Sequence, residues 1–180
     1  MAKRTLTLAF LSPTPDDHWV NRFTGYVSKH PVCHVELFFE SINQCFSIIW
    51  GEMASFRSKN LSSPHYQIIS LGVTMKEYDA CLQFCYSASN ERLVFDNTGM
   101  WLSYFPVVCM QQGSIQRGQT FCSKIIAEAL HFAGVSEIQH LSPSYSTPSR
   151  VYEALSHSPR RVCNSVPFKR HVLETQAIMR

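Results

Sequence analysis

Cys33-His34-Val35-Glu36-Leu37-Phe38-Phe39 is the stretch whose reading decides the fold. Polar and apolar residues alternate through it, and successive side chains of a strand point to opposite faces. A strand over 32–40 therefore sets His34, Glu36 and Phe38 on one face and Val35, Leu37 and Phe39 on the other. Two ionisable groups side by side on so apolar a strand must satisfy each other or a neighbour. A carboxylate beside an imidazole also orients the ring and stabilises its protonated form. The plainer alternative is an exposed strand face with solvated polar residues; Thr5 and Thr7 show the same alternation without any chemistry attached.

Further strands surround this one. Residues 4–11 read as the first strand, and Ser12-Pro13-Thr14-Pro15-Asp16-Asp17 as a loop whose Asp16 or Asp17 caps a short helix carrying Trp19, Val20, Phe23 and Tyr26. After the stretch itself, Ser41-Ile42-Asn43-Gln44 suits a hairpin turn into Cys45-Phe46-Ser47-Ile48-Ile49-Trp50, with short strands expected at 53–57 and 66–71. Thr74 with Glu77 three residues later is a capping-box pattern opening a helix through about residue 88, with Tyr78, Cys81, Leu82 and Cys85 at helical spacing. Phe95-Asp96-Asn97-Thr98-Gly99 reads as a tight turn, with Trp101, Tyr104 and Phe105 on a short helix or loop after it. Gly113 to Gly118 is a polar connector, and Pro148 starts a short helix through about Leu155.

The strongest helix runs over 120–133, where Cys122, Ile125, Ile126, Ala129, Leu130 and Ala133 share a face and Gly134 supplies the stop. Cys122 falls in its first turn. There the unsatisfied backbone N–H groups and the positive end of the helix dipole favour a thiolate, and the same N–H groups can hold an oxyanion. The competing reading is burial, since a cysteine on an apolar helix face is usually core.

Composition narrows the alternatives. At 180 residues and 45% apolar content the chain fits one soluble domain, core about 4–157, with 158–180 as a C-terminal extension. A net charge of +3, scattered until Arg160-Arg161 and Lys169-Arg170-His171, is too mild for a nucleic-acid partner. No apolar run reaches the ~18–20 residues of a membrane span, and Leu6 to Leu11 is too short and polar for a signal sequence. Seven cysteines without a regular framework favour free thiols and an intracellular setting. Cys33, His34 and Cys45 lack the regular spacing of zinc ligands, so no metal and no cofactor is expected.

The quoted motifs, with Cys45-Phe46-Ser47-Ile48 and Thr120-Phe121-Cys122-Ser123-Lys124-Ile125-Ile126, resemble the permuted NlpC/P60-type papain-like thiol hydrolases, a group that includes YiiX/YaeF-like bacterial proteins and related poxvirus proteins. The likeness spans roughly residues 5–155 and admits a viral source. It implies an α+β fold, an antiparallel half-barrel sheet packed against helices in circularly permuted papain-like order. It also implies Cys122 as nucleophile, His34 as base and later acid, and the backbone N–H of Cys122 in the oxyanion site. In several relatives a third, orienting group lies one strand after the histidine, where Ser47 stands here; Glu36 takes the role from the histidine strand itself, and the choice between them stays open. The implied activity is a cysteine hydrolase or acyltransferase acting on an amide, ester or thioester, with a peptide, isopeptide or lipid-acyl substrate. The alternative is a catalytically degenerate interaction module on the same fold. The geometric expectation is a Cys122 sulfur within about 4 to 5 Å of a His34 ring nitrogen.

Overall fold

Alternation puts Leu6, Leu8 and Phe10 on one face of the first strand, and that face becomes the floor of the core. A computed structural model describes residues 3–104 and 118–162. β1 (Lys3–Leu11) lies between β2 (His34–Phe39) and β5 (Tyr66–Thr74); β3 (Gln44–Ser47) and β4 (Ser55–Arg57) continue the sheet beyond β2. The order is β4-β3-β2-β1-β5 and every pairing is antiparallel. Five helices accompany the sheet among the described residues: α1 (Trp19–Val27), α2 (Met75–Asn90), α3 (Asn97–Tyr104), α4 (Cys122–Phe132) and α5 (Pro148–Ser156). A small parallel pair, β6 (Val94–Phe95) with β7 (Gln119–Thr120), leads directly into α4. The class is α+β.

The register explains the two faces. Leu8 lies opposite both Leu37 and Ile69, and Phe10 opposite Val35, so the apolar sets of three strands coincide. They pack against Cys81 and Cys85 of α2 and Ile125, Ile126, Ala129 and Leu130 of α4. Each fully buried Leu, Ile or Phe contributes about 1.5–3 kcal/mol. The other face holds a smaller layer of Ala9, Phe38 and Cys45 covered by Leu61. His34 and Glu36 belong to this second face, as the alternation requires.

Helix ends follow the local sequence closely, with two corrections. The Thr74–Glu77 capping box is present, and α4 ends in a left-handed Gly134 (φ 77°), with Gly134 N–H bonded to His131 O and Val135 N–H to Leu130 O. The cap of α1, however, is His18 rather than Asp16 or Asp17: His18 Nδ1 accepts from Val20 N–H at 3.4 Å. Asp17 is occupied instead by Thr14 N–H, at 2.6 Å. Asp96 is not part of a free-standing turn but the cap of α3, accepting from Gly99 N–H at 2.7 Å.

Helix α4 is enclosed more fully than an amphipathic face implies. Cys122 through Ala127 are all buried, Lys124 included, because the helix runs between the sheet, α2 and α5. At the far end of the described chain, residues 160–162 run beside β5, with Gly72 N–H donating to Arg160 O and Val162 N–H to Ser70 O, each at 2.8 Å. The Arg160 guanidinium ties this strap to Glu77 and Glu137. Phe105, most of the connector from Gly113, and the extension beyond Val162, including Lys169-Arg170-His171, lie outside the described residues. Among the described residues no helix is long and apolar enough to cross a membrane.

Candidate active site

The register brings the strand histidine to the start of α4. Leu11 opposite His34 is the final pair between β1 and β2, and Cys122 opens α4 at that end of the sheet. Cys122 and His34 are hydrogen-bonded to each other. The cap residue of α4 is Phe121, whose side chain cannot accept a hydrogen bond. The first-turn amides are therefore left without a capping side chain and point at whatever lies beyond the helix end. The backbone N–H groups of Val35 and Ser123 donate toward the Cys122 sulfur.

Two polar groups meet the other side of the imidazole. His34 Nε2 lies 2.9 Å from Ser47 Oγ and 3.2 Å from Glu36 Oε1. Both follow from sheet geometry: Glu36 is two residues along β2, and one step past the Leu37–Phe46 pair of the β2–β3 register brings Ser47 beside it. Ser47 Oγ also donates to Val35 O at 3.3 Å. With its hydrogen used there, the hydroxyl accepts from Nε2–H, which fixes the ring proton on Nε2 and leaves Nδ1 for the sulfur. Glu36 in turn is paired with Lys59 Nζ. The sequence expected either Glu36 or Ser47 at the histidine; the structure brings both.

The electrostatics follow from these contacts. Burial opposes an imidazolium, yet the Cys122 thiolate and the Glu36 carboxylate outweigh it and His34 is pushed up to about 9. Burial likewise opposes the Cys122 thiolate, but His34 and then the two backbone N–H groups hold the thiol below its ordinary value. Glu36, buried beside two cations, stays below the usual carboxylate range because His34 and Lys59 offset its desolvation. Burial pushes Cys33 and Cys45 up to about 12 and Cys85 up as well, so Cys122 stands apart from these thiols.

A cleft of about 300 Å³ opens on the pair, walled by Leu11, Val20, Ile49, Phe95, Met100 and Pro148 with His18, Asn21 and Thr24 among its polar contacts. Of the aromatic residues on these elements, Trp50 and Tyr104 line it. Phe38 packs instead in the layer beneath Leu61, and Trp19 stacks on Trp101 with ring centroids 6.1 Å apart. Ser123 Oγ, at the cleft, is buried with no partner among the described residues. Lys59 was missed by sequence reasoning and carries no local signal: it is a lysine in a loop after β4.

Fold and site together define an α+β protein whose five-stranded antiparallel sheet sets a buried cysteine at a helix start against a strand histidine. No family model, curated protein or solved structure matches the chain.

Proposed function

We propose that the protein is a cysteine-dependent hydrolase or acyltransferase on a circularly permuted, papain-like NlpC/P60-type half-barrel. The observation that carries this reading is the Cys122–His34 hydrogen bond with the far ring nitrogen held by Ser47 and Glu36. That arrangement is what nucleophilic catalysis by a thiol requires: a depressed thiol, an imidazole in contact with it, and groups that orient the ring.

In the reaction the Cys122 thiolate attacks the substrate carbonyl carbon, and the carbonyl π electrons move onto oxygen. The Cys122 backbone N–H, in the first turn of α4, donates to that oxyanion. The imidazolium of His34 then delivers its proton to the leaving amine, alkoxide or thiolate as the bond to it breaks. This leaves a thioester on Cys122 and a neutral ring. Neutral His34 takes a proton from water or another acceptor as that molecule attacks the thioester, and collapse restores the thiolate–imidazolium pair. The apolar cleft walls suit an acyl group, and amide, ester or thioester substrates of peptide, isopeptide or lipid-acyl type all present the required carbonyl.

The test is to trap the acyl-enzyme. The protein is incubated with activated acyl esters and thioesters of graded chain length, quenched in acid and digested. The reading expects an acyl adduct on Cys122 that disappears in Cys122→Ser and is cleared by water or added nucleophile in the native protein. An adduct spread over several cysteines, or none on Cys122, rules it out in favour of a non-catalytic interaction module.

A further inference from the structure

The site contains one more charge than a thiol–imidazole–acid trio needs. Glu36 has no exposed surface, and its Oε1 is shared between His34 Nε2 and the Lys59 ammonium. Its Oε2 has no hydrogen-bond partner among the described residues. With thiolate, imidazolium and carboxylate alone the cluster is an anion in a poorly solvated place; the ammonium makes it neutral. Lys59 also lines the cleft that opens on Cys122 and His34.

We propose that Lys59 is a positioning residue that neutralises Glu36 and thereby sets the pH window in which the Cys122–His34 pair is charged. This rests on the thiol-enzyme reading above. Removing a positive charge raises the pKa of every ionisable neighbour, thiol and imidazole alike. The groups around the ammonium leave few competing explanations. Glu36 of β2 pairs with it, and His34, Cys122, His18, Cys33 and Tyr104 line the same cleft. Cys45 of β3 is pushed up to about 12, and Tyr66 of β5 is pushed up too, so both stay neutral through the working range. Arg57, two residues earlier, is committed to Glu52.

The experiment follows the rate of Cys122 alkylation by iodoacetamide from pH 4 to 11, with the labelled residue mapped. The native protein is expected to show two steps, one as the thiol ionises and one as His34 loses its proton. Lys59→Gln is expected to move both steps to higher pH by about one unit, roughly a tenfold loss of rate on the rising limb, and Lys59→Arg to leave them in place. An unmoved curve in folded Lys59→Gln overturns the inference. So does an equal shift in Lys59→Arg, which would mean that the fit of the lysine matters and its charge does not. Should Lys59→Gln fail to fold, the Glu36→Gln/Lys59→Gln double variant leaves no unpaired carboxylate. The lysine is then expected to matter less than it does beside Glu36. If adding Lys59→Gln to Glu36→Gln still moves the curve by the full unit, Lys59 does not act through Glu36. A native protein without the two-step curve defeats the thiol-enzyme reading itself, a result distinct from a native curve that Lys59→Gln leaves unchanged.

Discussion

Replacing Glu36 by glutamine keeps the outline of the side chain and removes its charge from between His34 and Lys59. The His34–Glu36 contact is 3.2 Å, which at an effective dielectric near 20 sets a ceiling of about 5 kcal/mol on their attraction. Glutamine also escapes the cost of burying a carboxylate, and breaking a buried pair from one side typically costs about 3–5 kcal/mol. Lys59 is 24% exposed and can turn to water once released. The loss therefore falls at or just below the low end, about 2–3 kcal/mol. With a urea slope near 2 kcal/mol/M this moves the unfolding midpoint down by roughly 1–1.5 M. The sign of the pH dependence is fixed as well. A carboxyl held below its ordinary value stabilises the fold above about pH 4.3 and loses that contribution as pH falls through its depressed value. The Glu36→Gln variant should lack this part of the acid-side loss. His34, deprived of its carboxylate, should fall from about 9, so the upper step in the pH profile of Cys122 labelling, where the imidazolium loses its proton, should move down by about one to two pKa units. Urea titrations followed by circular dichroism, with alkylation rates on the same samples, measure both. A variant within about 0.5 kcal/mol of native stability and with unchanged labelling would refute the reasoning.

Other perturbations separate the neighbours. Ser47→Ala removes the hydroxyl 2.9 Å from His34 Nε2; denaturant unfolding should show a loss of about 1–2 kcal/mol, with a smaller downward shift of the His34 step in the labelling profile than Glu36→Gln gives. Gly99→Ala would place a methyl 2.1 Å from Asp96 Oδ2 and dislodge the α3 cap; the lost cap costs up to about 2 kcal/mol against a helix gain of up to about 1, so thermal melting should fall where propensity alone predicts a rise. Arg160→Ala frees Glu137, which the guanidinium holds down at about 2. Because a depressed carboxyl stabilises above its unfolded value and loses that as pH falls, native stability should drop by about 2 kcal/mol between pH 5 and pH 2, solvent screening included. The variant should show a shallower drop and unchanged Cys122 labelling at pH 6.

The parts of the site legible in the sequence are those set by local periodicity. Strand alternation at 33–39 placed His34 and Glu36 on one face, and the apolar spacing of 122–133 placed Cys122 in a first helical turn. Both are period arguments, and neither needs the partner element. What stayed hidden depends on the third dimension. Whether Ser47 or Glu36 meets the imidazole turns on a strand register, and the register brings both. Lys59 approaches over the second sheet face from a loop, where no periodicity exists to read. The cap of α1 was misassigned because Asp17 has a nearer donor in Thr14 N–H, a competition that residue preference does not reveal. That Trp19 and Trp101 stack on each other is likewise a tertiary contact, which the local pattern of neither helix shows.

The central claim is that His34 holds Cys122 as a thiolate, and the most direct measurement is residue-mapped alkylation of the folded protein at pH 6. The account predicts that Cys122 labels about tenfold or more faster than Cys33 and Cys45, whose thiols burial pushes up to about 12, and that His34→Ala abolishes the difference. Labelling of Cys122 no faster than of those two, or a rate that survives His34→Ala, would contradict it.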